Sequence, residues 1–532
     1  MEWMTPLLFF FSFFFNFRAA YKLLIDWRGM WITTRFVKDA YRRLDKLPAE
    51  EALEHDDRAP IFLHLMAAFQ EPGIASTLRG LMNSRYPHSK IHYVVVTKEE
   101  EDRSPHPAMP MSTGELVRRF QAELPPYEQK LLTHLVMPGA GRKAHQLNWA
   151  LRPETLREML GEHYDPSRVF VAVSDADSVQ DPNTYRWIAG EELAGRHSRA
   201  YQGVTLSLAN FDRLNTRGRI CAIQQSSIFI RVSIARLLNE VKRVRVINRL
   251  VASLPGGSRW LRPLLTFFFR RSLICLGHNQ FIRLDTLQEI GGFPVEGATE
   301  DSTLGYALGM RGIVITAVPM LELNDLPETR EKIIRQNARW YKGVLDDTSF
   351  LWRSWRSVPD AFNLAQLLRH LGNKVVEWPV AAVVYPLMGF LGWHLAYFYR
   401  GHFWLFTFSL AFPSIALLLT ILVGGIMTQH LIEDLIPMLP KPLDIRRKTL
   451  AEKFLGTFRC QTYWLLATRG SWRVLYAWAR TGRYAPEKTD RVIRGAEDTT
   501  SAPRRGLTAW WRSGSLLSTD RGVEQPGSSL GS

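Results

Sequence analysis

The chain has 532 residues, 46% of them hydrophobic, and a formal net charge of +16 at pH 7. That length allows a large catalytic domain plus extra elements, and the basic balance fits an anionic membrane surface or a phosphate-bearing substrate. Nucleic acid is disfavoured, because the cations lie beside apolar, Trp-rich stretches with no nucleic-acid-binding motif, and three scattered cysteines without a CxxC pair argue against a disulfide framework or a zinc site.

Residues 1–57 read as a hydrophobic anchor and a basic linker. The Leu- and Phe-rich run 7–17 is shorter than the ~20 residues a spanning helix needs, unless it continues through Ala19 and Ala20. No positive charge precedes it and no small-residue cleavage site follows, so a signal peptide is disfavoured. Arg18, Lys22, Arg28, Arg35 and Lys38 do follow, which predicts a signal-anchor with the rest of the chain inside; a helix lying in the interface is the alternative.

Residues 58–346 alternate strand-like and helix-like segments, which predicts a largely parallel α/β sheet. The apolar runs 61–66, 91–96, 131–137 and 169–173 are its first four strands. Ligands in such sheets bind beyond the carboxyl ends of the strands, so the loops that follow these runs carry the search for chemistry. Residues 347–374 read as interfacial helices, with Trp352, Trp355, Leu367 and Leu368. The runs 375–399 and 403–427 lack Lys and Arg and are joined by Arg400-Gly401-His402, which predicts a transmembrane hairpin spanning 375–427. Residues 428–496 form a basic, amphipathic segment in which Phe454, Tyr463, Trp464, Trp472, Tyr476 and Trp478 alternate with arginines. Such a segment suits the headgroup layer, or packing against the catalytic domain. The Ser-, Gly- and Arg-rich tail 497–532 reads as disordered.

Four motifs fall in order: Lys143-Ala144-His145-Gln146-Leu147-Asn148, Asp175-Ala176-Asp177, Thr299-Glu300-Asp301 and Gln336-Asn337-Ala338-Arg339-Trp340. A lysine opening a helix after Gly139 and Gly141 can meet a diphosphate together with the helix amides, although a surface lysine is the commoner case. Asp175 and Asp177, one residue apart at the end of an apolar strand, suit a hard divalent cation shared with that diphosphate. Thr299 and Asp301 could also simply cap a helix. Gln336, Arg339 and Trp340 are spaced to share one helix face: Arg339 can bond a diphosphate, and Trp340 offers an apolar plane to an acceptor sugar or to the membrane.

Taken together, these motifs over about 61–343, followed directly by a hairpin, resemble the membrane-embedded family 2 glycosyltransferases, the group of cellulose, chitin and hyaluronan synthases. The resemblance implies a GT-A (Rossmann-like) catalytic domain and a sugar transferred with inversion from a nucleotide diphosphate, UDP being the first expectation. It implies Asp301 as the base that takes the acceptor proton, with Glu300 beside it. Lys143, Asp175, Gln336 and Arg339 would hold the donor, Asp175 and Asp177 a Mg or Mn ion, and His278 and Trp340 the acceptor. Glu71, in Ala67-Ala68-Phe69-Gln70-Glu71-Pro72, matches only part of a nucleotide-binding turn and could equally belong to a plain strand-to-helix turn. No aspartate follows the second strand directly, where the family places one; Glu99 is the nearest substitute, in an acidic run that a solvated loop would also explain.

The expected location is the plasma (inner) membrane, multi-pass, with the catalytic domain cytosolic. The expected partners are a nucleotide sugar, a saccharide or lipid-linked acceptor and membrane lipids, with a homo-oligomer or channel partner left open. The synthases' larger set of channel helices is not matched, so transfer of a single sugar to a lipid rivals polymer synthesis. A non-catalytic scaffold is the third reading.

Overall fold

A computed structural model of the chain describes residues 4–107, 109–253, 260–271, 275–357, 361–482 and 484. The chain divides into Met1–Arg491 and Val492–Ser532, and the second unit, which holds the whole of the 497–532 tail, lies outside the described residues.

Eight strands form one mixed sheet: β1 (Ile61–Ala67), β2 (Ile91–Lys98), β3 (Leu132–Met137), β4 (Val169–Ser174), β5 (Val179–Gln180), β6 (Ala200–Leu206), β7 (Gln280–Arg283) and β8 (Ile315–Leu323). Their order is β3-β2-β1-β4-β7-β6-β8-β5. The first four run parallel, with Phe62 opposite Ile91 and Phe170, while β7 lies antiparallel to both β4 and β6. The four apolar runs in the sequence thus become the parallel half, with ends shifted by only a residue or two.

Strand alternation divides the core in two. Leu63, Leu65, Val94, Val96, Val171 and Val173 face one cluster; Phe62, Met66, Tyr93, Val95, Phe170 and Ala172 face the other. Both faces are covered, which is why these strands read as continuous apolar runs instead of alternating ones.

The helices around the site are α1 (Met4–Tyr41), α2 (Lys143–Ala150), α3 (Ala235–Ala252), α4 (Leu261–Phe269), α5 (Glu300–Met310), α6 (Arg330–Ser357), α7 (Ala361–His370), α8 (Glu377–Phe398), α9 (Phe403–Ile421) and α10 (Leu450–Thr481). Among the described residues three stretches are long and apolar enough to cross a membrane: Thr5–Tyr41, Ala361–Phe398 and Phe403–Met438. They pack together. Ser12 and Asn16 of α1 donate to the carbonyl of Met388 at 3.0 Å each, and a Cβ on Gly392 of α8 would come within 2.4 Å of Pro413 of α9.

Three boundaries differ from the sequence reading. The basic stretch after residue 17 is not a linker but the second half of a single 38-residue helix. Its charged residues are drawn into tertiary pairs, Lys38 with Asp434 at 2.5 Å and the acid Asp26 with Arg231 at 3.5 Å, and Met30 and Val37 enter the sheet core. The interfacial region before the hairpin is not separate either: α7 joins α8 through a π-helical turn, Leu371–Val376, so the hydrophobic stretch begins at Ala361. After the hairpin, α10 is both a packed and an exposed helix. Tyr463, Leu466 and Val474 are buried, while Phe454, Trp472, Tyr476 and Trp478 are exposed.

Candidate active site

Three of the four motifs, at Lys143, Asp175 and Asp301, meet beyond the carboxyl end of β4, held there by identifiable bonds. Gln146 of α2 donates to the carbonyls of Ala68 (3.1 Å) and Val96 (2.7 Å), pinning the helix across the ends of β1 and β2. Asn148, one turn from Lys143, exchanges two 2.8 Å hydrogen bonds with the backbone of Phe293. Gly292 makes that exchange fit: its φ is +88°, and a Cβ there would lie 2.7 Å from the Asn148 carbonyl oxygen. Arg142 donates to the carbonyl of Gly297 at 2.9 Å. The helix that carries Lys143 is therefore tied to the loop that leads into Thr299-Glu300-Asp301.

At the centre Lys143 donates to Asp175 Oδ1 at 2.5 Å and to the carbonyl of Gly277, and lies 3.9 Å from Glu300. Burial works against its charge, but Asp175 and Glu300 outweigh burial and hold the ammonium above its ordinary range. Asp301 is close by. A Cβ on Gly277 would lie 3.1 Å from Asp301 Oδ2 and 3.5 Å from Lys143 Nζ, so glycine there lets the backbone floor the site. Asp301 Oδ1 accepts from the Ser302 amide at 2.8 Å. Burial, then the neighbouring Glu300 charge, pushes its carboxyl up to about 7, where a base near neutral pH can both accept and release a proton.

Asp175 and Asp177 offer hard carboxylate oxygens at a strand end. Among the described residues no group of three His, Cys, Asp or Glu side chains could close around a metal. Two carboxylates with the remaining positions left to phosphate and water is the usual way Mg is held, so this donor set fits Mg or Mn, with Asp175 shared between the ion and Lys143.

Gln336, Arg339 and Trp340 lie partly buried on α6. The Gln336 side-chain oxygen is buried without a hydrogen-bond partner among the described residues. α6 presses closely on the start of α5: a Cβ on Gly343 would meet Thr299 Oγ1 at 2.0 Å, and Asp346 accepts from the Ala298 amide at 3.0 Å. Asp347 takes the hydroxyls of Ser302 (2.5 Å) and Thr303 (2.6 Å), and burial pushes its carboxyl up to about 6.

Other expected residues sit differently. His278 is buried, its Nδ1 2.8 Å from the wholly buried Glu322, which also accepts from Ser178 at 2.7 Å. Burial opposes the charge on His278, but Glu322 overrides it and lifts the imidazole to about 9. The ring is thus committed to an internal ion pair beside the Asp175 loop. Glu99 caps the end of β2 but points its carboxylate to Arg103 at 2.6 Å. The buried acid of that run is Glu101, which accepts from the amides of Gln70 (3.0 Å) and Thr113 (2.8 Å) and from the Thr113 hydroxyl (2.6 Å). It laces the β1 and β2 loops together, with Gln70 in the left-handed region at φ 55°. Glu71 is buried in the same loop, its amide donating to Thr113 Oγ1 at 2.9 Å. Asp347, Glu322 and Glu101 were not singled out in the sequence. Their only sequence signal is an acid beside a motif or inside an apolar strand.

None of the curated proteins compared matches the chain. Among solved structures, the mannosyltransferase PcManGT from Pyrobaculum calidifontis in complex with GDP-Man and Mn2+ is 15% identical, with 87% of this chain and 99% of that one covered and a TM-score of 0.39. S. aureus TarS 1-349 is 11% identical, with 80% and 92% covered and a TM-score of 0.32. Likeness this distant says nothing of the donor sugar. A family model described as glycosyl transferase family group 2 matches residues 258–439, and one described as glycosyltransferase like family 2 matches residues 60–343, more than half of the chain. With its parallel β3-β2-β1-β4 half and antiparallel β7 giving a GT-A sheet, the chain belongs to glycosyltransferase family 2.

Proposed function

We propose that the chain is a multi-pass inner-membrane hexosyltransferase with its catalytic domain in the cytosol. It moves a sugar from a nucleotide diphosphate, UDP-sugars being the first donors to test, to a saccharide or lipid-linked acceptor. The observation that carries this reading is the convergence of Lys143, Asp175, Glu300 and Asp301 beyond one strand end, with Asp301 tuned towards neutrality.

In this reading Asp301 takes the proton from the acceptor hydroxyl as that oxygen bonds to the anomeric carbon. The bond from that carbon to the diphosphate breaks on the opposite face, and configuration inverts. Lys143 and Arg339 hold the diphosphate. Gln336 lies one turn before Arg339 on the same helix, and Trp340 offers its ring plane to the acceptor. Asp175 and Asp177 would hold Mg or Mn, which when bound neutralises charge on the departing diphosphate. His278 acts from behind, keeping Glu322 and the loop after β4 in place.

Single-sugar transfer is favoured over extrusion of a polymer by this chain alone, because only three stretches among the described residues are able to span a membrane. The test is release of UDP from a panel of UDP-sugars by membranes containing the chain, with and without EDTA, and product sizing by mass spectrometry. Metal-dependent release with a product larger by one sugar supports the reading. No release from any nucleotide sugar would favour a non-catalytic scaffold.

A further inference from the structure

The helix α6 carries one spacing twice. Gln336, Arg339 and Trp340 stand at i, i+3 and i+4, and Gly343, Asp346 and Asp347 repeat that spacing seven residues on. Seven residues are almost two whole turns, so the second trio lies on the face of the first, about 10 Å further along the axis. The first trio is the face read above as holding the diphosphate and the acceptor. The second meets the turn that carries Asp301.

Each member of the second trio holds a different point of that turn. Asp346 accepts from the Ala298 amide at 3.0 Å. Gly343 leaves room for Thr299, whose side chain a Cβ there would overlap. Asp347 is wholly buried and accepts from the Ser302 hydroxyl through Oδ2 at 2.5 Å and from the Thr303 hydroxyl through Oδ1 at 2.6 Å. Ser302 joins the two acids, because its amide donates to Asp301 Oδ1 at 2.8 Å. One residue thus bonds Asp301 through its backbone and Asp347 through its side chain.

The start of α5 is held by α6 and not by its own cap: Thr299, at the N-cap position, makes no side-chain bond to the free amides of the helix. A second tie lies one turn on. His370 of α7 meets the Tyr306 hydroxyl of α5 through Nδ1 at 2.8 Å and the Val344 carbonyl of α6 through Nε2 at 2.7 Å. With α5 fastened to α6 in its first and second turns, the backbone at 301 has little room to shift. A buried carboxylate is costly unless its oxygens are met, and both oxygens of Asp347 are met by hydroxyls of the turn beside Asp301.

We propose that Asp347 is a positioning residue for the transfer: through the Ser302 hydroxyl it fixes the Ser302 amide against Asp301, and so keeps the base in register with the diphosphate-holding face of α6. This rests on the reading of Asp301 as the acceptor base. The carboxylate of Asp347 is taken up by two hydroxyls and acts on the reaction only through Asp301. Inverting displacement needs the acceptor oxygen, the anomeric carbon and the diphosphate aligned, and a misplacement of about 1 Å can cost roughly 10²-fold in rate. One continuous helix carries both reference points, Arg339 for the diphosphate and Asp347 for the base.

The test uses the full chain. UDP release is measured in membranes with Mn, with UDP-glucose, UDP-galactose and UDP-N-acetylglucosamine as donors and the membrane's own lipids as acceptors. Hydrogen exchange of the chain in neutral detergent is read by mass spectrometry. Asp347→Ala should lower kcat by at least about tenfold, towards the roughly 10²-fold cost of misplacement, and leave the donor KM unchanged. Exchange at residues 301–305 should be about tenfold faster, as expected for two lost hydrogen bonds. Should that variant fold poorly, Asp347→Asn keeps the shape and should fall in between. Glu300, Lys143, Asp347 and Lys374 are the charges that bear on Asp301, so removing one negative charge should also move the pH limb of turnover to lower pH. A merely structural contact would lower thermal stability and leave kcat and the pH limb of the folded enzyme as in wild type, which would overturn the proposal. Unchanged exchange at 301–305, or a donor KM that rises as kcat falls, would overturn it too. Asp301→Asn reads the base alone. Wild-type turnover in that variant sinks the base assignment, whereas lost turnover there with wild-type kcat in Asp347→Ala sinks only the positioning role. Turnover of no donor by wild type sinks the transferase reading and the proposal with it.

Discussion

Two buried charged regions, one at Asp301 and one at Glu240, are balanced differently. On the sheet side one lysine, Lys143, faces Asp175, Glu300 and Asp301, and carboxylates are in excess. On the helix side the fully buried Glu240 is met by Arg270 Nε at 2.9 Å and by Arg243 at 3.8 Å, so its charge is matched inside the protein. A surplus of charge in a crowded place is costly unless something of the opposite sign arrives. The carboxylate surplus suits a cation such as Mg or Mn, whereas Glu240 already has its cations. Asp301 has its own proton affinity set by burial and by the neighbouring Glu300.

The largest expected effect comes from that central residue. Asp301→Asn keeps size and removes the proposed base, and turnover should fall by roughly 10²–10⁴-fold with donor affinity little changed. Initial rates of UDP release in the presence of acceptor give the answer; a variant retaining wild-type turnover would leave the comparison without its centre.

Next is the acidic side. Asp177→Asn should raise the Mn concentration needed for half-maximal turnover by more than the roughly 10–100-fold that losing an outer hydrogen bond to a metal ligand costs. EDTA should abolish turnover, and added Mg or Mn restore it. Metal-independent turnover would mean that Lys143 alone balances the carboxylates.

A smaller effect, in pH, separates burial from neighbouring charge. Asp301 must be deprotonated to act, so turnover should rise with pH through about 7 and fall away below it. Glu300→Gln removes a like charge and should move that limb to lower pH. It should stay above the ordinary carboxylate range, because burial is the larger cause. A limb that does not move would show that Glu300 acts chiefly on Lys143.

The smallest expected effect is at Glu99. Its carboxylate is paired with Arg103 at the surface, so Glu99→Ala should change stability by no more than about 0.5 kcal/mol and leave donor affinity within about twofold. Loss of donor binding would restore it to the nucleotide site.

The first four strands were legible because burial on both faces writes a continuous apolar run, and the motifs because lysine, paired aspartates and a Gln-x-x-Arg-Trp spacing are chemically distinctive. The roles of the acids around them were not legible. Glu99 and Glu101 are two residues apart in one acidic run, and only packing decides that Glu101 is buried under Thr113 while Glu99 reaches solvent. The helical second half of α1 was equally hidden, since its charged residues look like a linker until Asp434 meets Lys38 and Arg231 meets Asp26.

By itself the amino-acid order determined the sheet's parallel half, the membrane-length hairpin and the identity of the groups that meet at Asp301, because these depend on local apolar pattern and side-chain chemistry. Tertiary structure alone decided which charges are left over. Arg270 reaches Glu240, and Arg369 reaches the Arg270 carbonyl, only once α3 and α7 are packed beside that arginine, because the balance of charge around a buried group is a property of distance in space and not of position in sequence.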